Sequence, residues 1–184
     1  MINVALFGFG RIGQMHAENL NKHKEIKLLY VYEKSKQLSF KAKKLYNCKL
    51  EKNYKKVFRD KKVDIIFISS PTNTHIKFIE EGVKNKKTIF CEKPIDLNIK
   101  KIIKTFKKIK KIKTKIQIGF NRRYDPGHYN IKKDLERNKI GKLEKIIITS
   151  RDPAPPTASY LKSSGGILRD MMIHDFDLCR FYLG

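Results

Sequence analysis

The chain has 184 residues, enough for one full domain and part of another, and carries a formal net charge of +24. Hydrophobic residues make up 40%, and no apolar run nears the roughly 20 residues of a membrane-spanning helix, so no membrane partner is expected. The charge comes from 34 lysines against eight arginines spread over most of the chain, which reads as compositional bias; base readers lean on bidentate arginine, so no specific nucleic-acid partner is expected.

In chain order, the apolar run 2–7 predicts a first strand and 12–22 a first helix. Residues 26–33 form the second strand, 37–46 a helix, and 54–59 a short helical turn. The stretch 63–69, apolar apart from Asp64 and Ser69, has the character of a buried parallel strand, followed by a helix over 73–84 and a short strand over 88–91. Residues 97–112 place Ile99, Ile102, Ile103, Phe106 and Ile109 on one helical face and lysines on the other, and 115–119 closes the series as a strand. This alternation predicts an α/β fold, a Rossmann-type doubly wound parallel sheet. Beyond Phe120 the pattern changes: a helix over 124–138, a strand over 143–150, a proline-rich loop over 151–157, and a helix over 169–183 after Gly165-Gly166. The expected domains are 1–120 and 121–184.

Gly8-Phe9-Gly10-Arg11-Ile12-Gly13 stands between the first strand and the first helix. In that context G-x-G-x-x-G is a dinucleotide fingerprint. Gly8 permits a tight turn, Gly10 a close approach to pyrophosphate, and Gly13 the packing of helix on strand. The phosphates would meet free N–H groups at the positive end of the helix. Glu33, 20 positions after Gly13, is placed to accept bonds from a ribose, and its charge disfavours a 2′-phosphate. NAD is therefore expected over NADP, although Lys34 and Ser35 offer the opposite chemistry.

Asp170 and His174 are four apart, so a continuous helix would set them one turn apart on one face. A near-neutral histidine suits removal of a hydroxyl proton; a helix-surface ion pair is the competing reading. Lys93, before Pro94, falls at the carboxyl end of a parallel strand, where open α/β sheets bind ligands. Asp175 and Asp177 read as structural, and His16, His23 and His128 as surface or packing residues. Cys48, Cys91 and Cys179 lie far apart with no C-x-x-C, no metal constellation is visible, and an N-terminus that reads as a strand points to a cytoplasmic protein.

The fingerprint, Glu92-Lys93-Pro94, Gly119-Phe120-Asn121-Arg122-Arg123-Tyr124-Asp125, and Gly165-Gly166 leading to Asp170-Met171-Met172-Ile173-His174-Asp175 together resemble the Gfo/Idh/MocA oxidoreductases. Within them, Ser150-Arg151-Asp152-Pro153-Ala154-Pro155-Pro156 is similar to the loop of the inositol dehydrogenases. The resemblance implies NAD-dependent oxidation of a cyclic polyol, most simply myo-inositol to its 2-keto form, or of a related sugar. It implies His174 as general base, Asp170 assisting, and Lys93 touching both substrate and cofactor. Glu92, Ser70, Pro71, Thr72 and His75 would border the cofactor, with His75 equally open to a structural role. Arg122 and Asp152 would grip polyol hydroxyls, with Arg122 equally open to a structural ion pair. It further implies a homo-oligomer when full length and a substrate-binding α+β domain of which residues 121–184 are the beginning. By that reading the chain is truncated, and a non-catalytic NAD-binding module is the alternative.

Overall fold

The computed structural model describes residues 1–184, apart from the side chains of Ser159, Lys162 and Ser163. The chain divides into two compact units, Met1–Gly119 and Phe120–Gly184.

The first unit alternates β1 (Ile2–Phe7), α1 (Arg11–Lys22), β2 (Ile26–Tyr32), α2 (Lys36–Tyr46), β3 (Lys49–Leu50), α3 (Tyr54–Arg59), β4 (Ile65–Ile68), α4 (His75–Lys84), β5 (Thr88–Cys91), α5 (Ile99–Ile109) and β6 (Ile116–Ile118). The six strands form one parallel sheet in the order β3-β2-β1-β4-β5-β6. The order reverses at β1, which pairs with β2 on one side (Phe7 opposite Tyr32) and with β4 on the other (Phe7 opposite Ile68). This is the switch point outside which doubly wound sheets bind ligands.

Both sheet faces are covered, which is why the central strands are predominantly apolar. Side chains alternate across the pleat. Val4 and Leu6 join Phe9, Ala17, Leu28, Val31, Ala42 and Phe67 under α1 and α2. Ala5 and Phe7 join Phe58, Ile66, Ile68, Phe78, Ile79 and Ile89 under α3, α4 and α5. The Phe7 ring sits 4.9 Å from those of both Phe58 and Phe78. Helix starts follow from the sequence: Ser35, Asn53 and Asn98 each accept a backbone N–H of the first turn of α2, α3 and α5.

The second unit contains α6 (Pro126–Glu136), α7 (Ala158–Ser164), α8 (Ile167–Asp170) and α9 (Ile173–Leu183), after a single 3₁₀ turn at Asn121–Tyr124. Asp125 caps α6 through the N–H groups of Gly127 and His128, with Pro126 in the first turn. Two expectations are corrected here. Residues 143–150 form no strand among the described residues; Ile146, Ile148 and Ser150 are half-buried while Ile147 and Thr149 are exposed, so the strand alternation is present but no neighbour completes a ladder. The helix expected over 169–183 is two helices. Its first segment ends with a wide bond from Met172 N–H to Ile167 O, and the second begins with the tighter bond from His174 N–H to Met171 O. The short α7 was not foreseen; Thr157 caps it by accepting the Tyr160 N–H, and Gly165 ends it at φ +86°.

Candidate functional site

The fingerprint glycines differ in what holds them. A Cβ on Gly8, which sits at φ +94°, would lie 2.7 Å from Ser69 O and from Ser70 backbone atoms, and one on Gly13 would lie 2.2 Å from Gly8 O. The protein itself demands both glycines. A Cβ on Gly10 would meet nothing within 4 Å, so its smallness is required by no part of the protein. Gly10 is also the N-cap of the 12-residue α1, with no side-chain cap and no acid in the first turn. The N–H groups there remain available to an anion. Arg11 is exposed and Ile12 half-buried beside it.

Phe9 is a core residue, fully buried, and its contribution to the loop is its backbone: its N–H donates to Glu33 Oε2 at 2.7 Å. Ser35 N–H donates to Glu33 Oε1 at 2.9 Å. The carboxylate at the end of β2 is thus aimed by two backbone donors, one from the fingerprint itself, and each oxygen keeps a lone pair for a ribose hydroxyl. A groove of about 440 Å³ beside it is lined by Tyr32, Glu33, Lys34, Ser39, Phe40 and Lys52, among others. The pyrophosphate clearance at Gly10, the uncapped helix end and the anchored Glu33 fit a dinucleotide.

On the other side of the switch point, Ser69 Oγ donates to Gly8 O at 3.0 Å, tying the end of β4 to the fingerprint. Ser70 Oγ and Thr74 Oγ1 lie 2.6 Å apart, and Thr74 Oγ1 donates to Pro71 O at 2.7 Å, closing the 3₁₀ turn Thr72–Thr74. His75 is buried, with Nε2 2.7 Å from Ser70 O and Nδ1 2.8 Å from Pro94 O. Burial pushes its pKa below the ordinary value; the two carbonyls, Glu92 and Asp96 pull the other way. Glu92 Oε1 lies 2.7 Å from His16 Nε2, and its carboxyl rests against Gly119, where a Cβ would come within 3.1 Å. Lys93, half-buried, follows directly.

Within the second unit, Asp170 accepts the Tyr160 hydroxyl at 2.8 Å. Asp170 closes α8 and His174 is the second residue of α9, so the single helix turn expected to relate them does not exist. His174 is half-buried with Nδ1 shielded from solvent, and the Phe120 ring stands edge-on at 6.4 Å. Arg122 pairs with Asp175, which also accepts the Ser150 hydroxyl at 2.7 Å. Arg123 grips Asp177 through two bonds, one of 2.7 Å from its Nε. Asp152 is exposed in the loop between α6 and α7. Sequence reasoning left His16 and His128 without partners; the structure gives them Glu92, 76 positions away, and the Tyr182 hydroxyl at 2.8 Å. Nothing local in the sequence marks either pair. No cluster of three or more metal-binding side chains occurs among the described residues.

An NAD-binding Rossmann architecture with an E-K-P corner after its fifth strand defines a class of oxidoreductases. The chain belongs to the Gfo/Idh/MocA family: the oxidoreductase family, NAD-binding Rossmann fold, matches residues 2–120, and the GFO/IDH/MocA C-terminal domain matches residues 128–184. Inositol 2-dehydrogenase of Rhizobium meliloti is 38% identical over the whole chain. The crystal structure of a myo-inositol dehydrogenase from Corynebacterium glutamicum superposes with a TM-score of 0.93 at 37% identity, covering 99% of this chain and 55% of that one. That of scyllo-inositol dehydrogenase from Lactobacillus casei, with bound NAD(H) and scyllo-inositol, gives 0.85 at 31% identity, covering 99% and 56%. The chain spans about 55% of the length of the relatives it matches. No helix among the described residues is long and apolar enough to cross a membrane.

Proposed function

We propose that this chain is the cofactor-binding and base-bearing portion of an NAD-dependent polyol dehydrogenase that oxidises myo-inositol at C2. The observation that carries the reading is the clearance at Gly10, at the bare end of α1, where the protein itself has no steric need for glycine. When bound, NAD supplies the hydride acceptor, held at its pyrophosphate by Gly8–Gly13 and at its adenosine ribose by Glu33, with Ser70, Pro71 and Thr72 under the nicotinamide end.

His174 takes the proton of the reacting hydroxyl; with Nδ1 shielded, Nε2 is the atom that exchanges it. Lys93, as an ammonium, stabilises the substrate oxygen as that proton leaves, since a nearby positive charge favours the anionic form. Asp170 holds a neighbouring hydroxyl, its other oxygen already fixed by Tyr160. Arg122 acts through Asp175, the residue after His174, and so fixes the start of α9. Asp152 reaches a distal hydroxyl from its loop. The relatives named inositol dehydrogenases and the 150–156 loop support the choice of substrate. Three cysteines present as free thiols suit a cytoplasmic enzyme. Assembly as a homo-oligomer, with no nucleic-acid partner, completes the reading.

The test is NAD titration by calorimetry on the chain and on Gly10→Val. The valine variant should keep its unfolding midpoint within about a degree or two yet bind NAD about tenfold more weakly, or worse, equivalent to about 1.4 kcal/mol. Equal NAD affinity in both proteins would sink the reading. Formation of NADH with myo-inositol, abolished in His174→Ala, then decides the substrate and the base.

A further inference from the structure

We propose that His16 and His75 are positioning residues that hold the Glu92–Pro94 corner, and Lys93 with it, from opposite faces of the sheet. The inference rests on the reading of Lys93 as a residue at the cofactor.

The last ladder bond before the corner runs from Glu92 N–H to Ile68 O at 2.8 Å. Beyond it the chain leaves the sheet, and two histidines meet it on either side of Lys93. On the face covered by α1, the His16 ring packs on Phe67 at 4.6 Å and Phe90 at 5.6 Å, which themselves stack at 4.0 Å. Those contacts fix the ring plane, and Nε2 reaches the Glu92 carboxylate. On the face covered by α4, His75 reaches the carbonyl of Pro94 with one nitrogen and that of Ser70 with the other.

The chemistry asks for imidazole. Its two nitrogens diverge from a rigid ring, so one side chain reaches two carbonyls on separate loops. The loops joined in this way follow β4 and β5, neighbours in the sheet with Ile68 opposite Cys91. A neutral ring carries one N–H, so it bonds one carbonyl at a time and turns a lone pair to the other. A buried polar side chain with no other task is costly to keep, and leucine would fill the space more cheaply. His75 is therefore retained for what it holds, and what it holds is the loop under the nicotinamide end and the loop of Lys93.

Hydrogen exchange by mass spectrometry on the whole chain, paired with NAD titration, tests this. His75→Phe keeps ring volume and removes the ring's hydrogen-bonding nitrogens; exchange over 70–76 and 92–96 should rise about tenfold, with β2 unchanged, and NAD affinity should fall by a similar factor. His75→Gln, smaller but still a donor, should recover part of both losses, which a volume-filling role would not permit. His16→Phe should loosen 92–96 alone. Unchanged exchange over 92–96 in both Phe variants, or Phe outperforming Gln, would overturn the proposal. Should a Phe variant fail to fold, the wild-type ¹⁵N spectrum decides: one His75 ring N–H protected from solvent exchange supports the clamp, and a freely exchanging ring refutes it. If the wild type binds no NAD, the cofactor reading fails while the exchange pattern still decides the grip.

Discussion

In Met1–Gly119 the elements are fastened by buried hydrocarbon on two sheet faces; in Phe120–Gly184 they are fastened by charge. Among the described residues, every buried apolar side chain but Leu178 belongs to the first unit. The second relies on Arg122 with Asp175 and on Arg123 with Asp177, which link the turn after Phe120 to α9. An apolar core loses stability with each hydrocarbon group removed and cavity left, but many residues share the load. An ion pair fails differently, because removing one partner leaves its mate desolvated and uncompensated. The unit proposed to carry the cofactor is thus held by many apolar contacts, and the unit proposed to carry the base chiefly by a few charged ones.

The largest test of that contrast is Phe7→Ala. Phe7 is fully buried against Tyr32, Phe58 and Phe78, and its truncation should cost about 3–5 kcal/mol in thermal or denaturant unfolding of the first unit. Arg123→Ala should cost less, about 2 kcal/mol, because the guanidinium is over a third exposed while Asp177 is nearly buried. Its signature is location: exchange should accelerate in 120–184 and stay constant in the first unit. Replacing both members by apolar residues of similar size, Arg123→Met with Asp177→Leu, should restore most of the loss, and a double variant worse than the single would show that charge is not what holds α9 there. The smallest effect concerns pH. The folded pKa of His75 lies below its ordinary 6.5, so the unfolded chain takes up the proton first. Stability present above pH 6.5 should therefore decline as pH falls through 6.5 toward the folded value. In His75→Gln this part of the pH dependence of the unfolding midpoint should flatten; an unaltered slope would assign it to other groups.

The same contrast governs what could be read from residues alone. β1, α3 and β5 fall where period and punctuation put them, because their environments are dictated by nearest neighbours on a common sheet. β3 escaped because two residues carry no period. In the second unit the local signals mislead. Residues 143–150 alternate as a strand should, but a strand is a relation to a partner, not a property of the segment. No glycine or proline marks the interruption at Met171–Met172, so the residues read as one continuous helix over 169–183. At the site, Gly8, Gly13 and Glu33 were legible because their spacing is itself the mechanism. Glu92 with His16, and His75 with Pro94, join positions 76 and 19 apart, and only the fold brings them together.

The strand order carries a temporal consequence. β1 is made first yet sits in the middle of the sheet, with β2 on one edge and β4 on the other. As the chain emerges from a ribosome, β2 can zip onto one edge at once, but the other edge of β1 stays bare until Ile65–Ile68 arrives. At about 5–20 residues per second that interval lasts seconds. Throughout it Ala5, Leu6 and Phe7 line an open strand edge, the kind of surface that recruits strands from other nascent chains. The central position that later seats the fingerprint is, during synthesis, an unpaired strand edge.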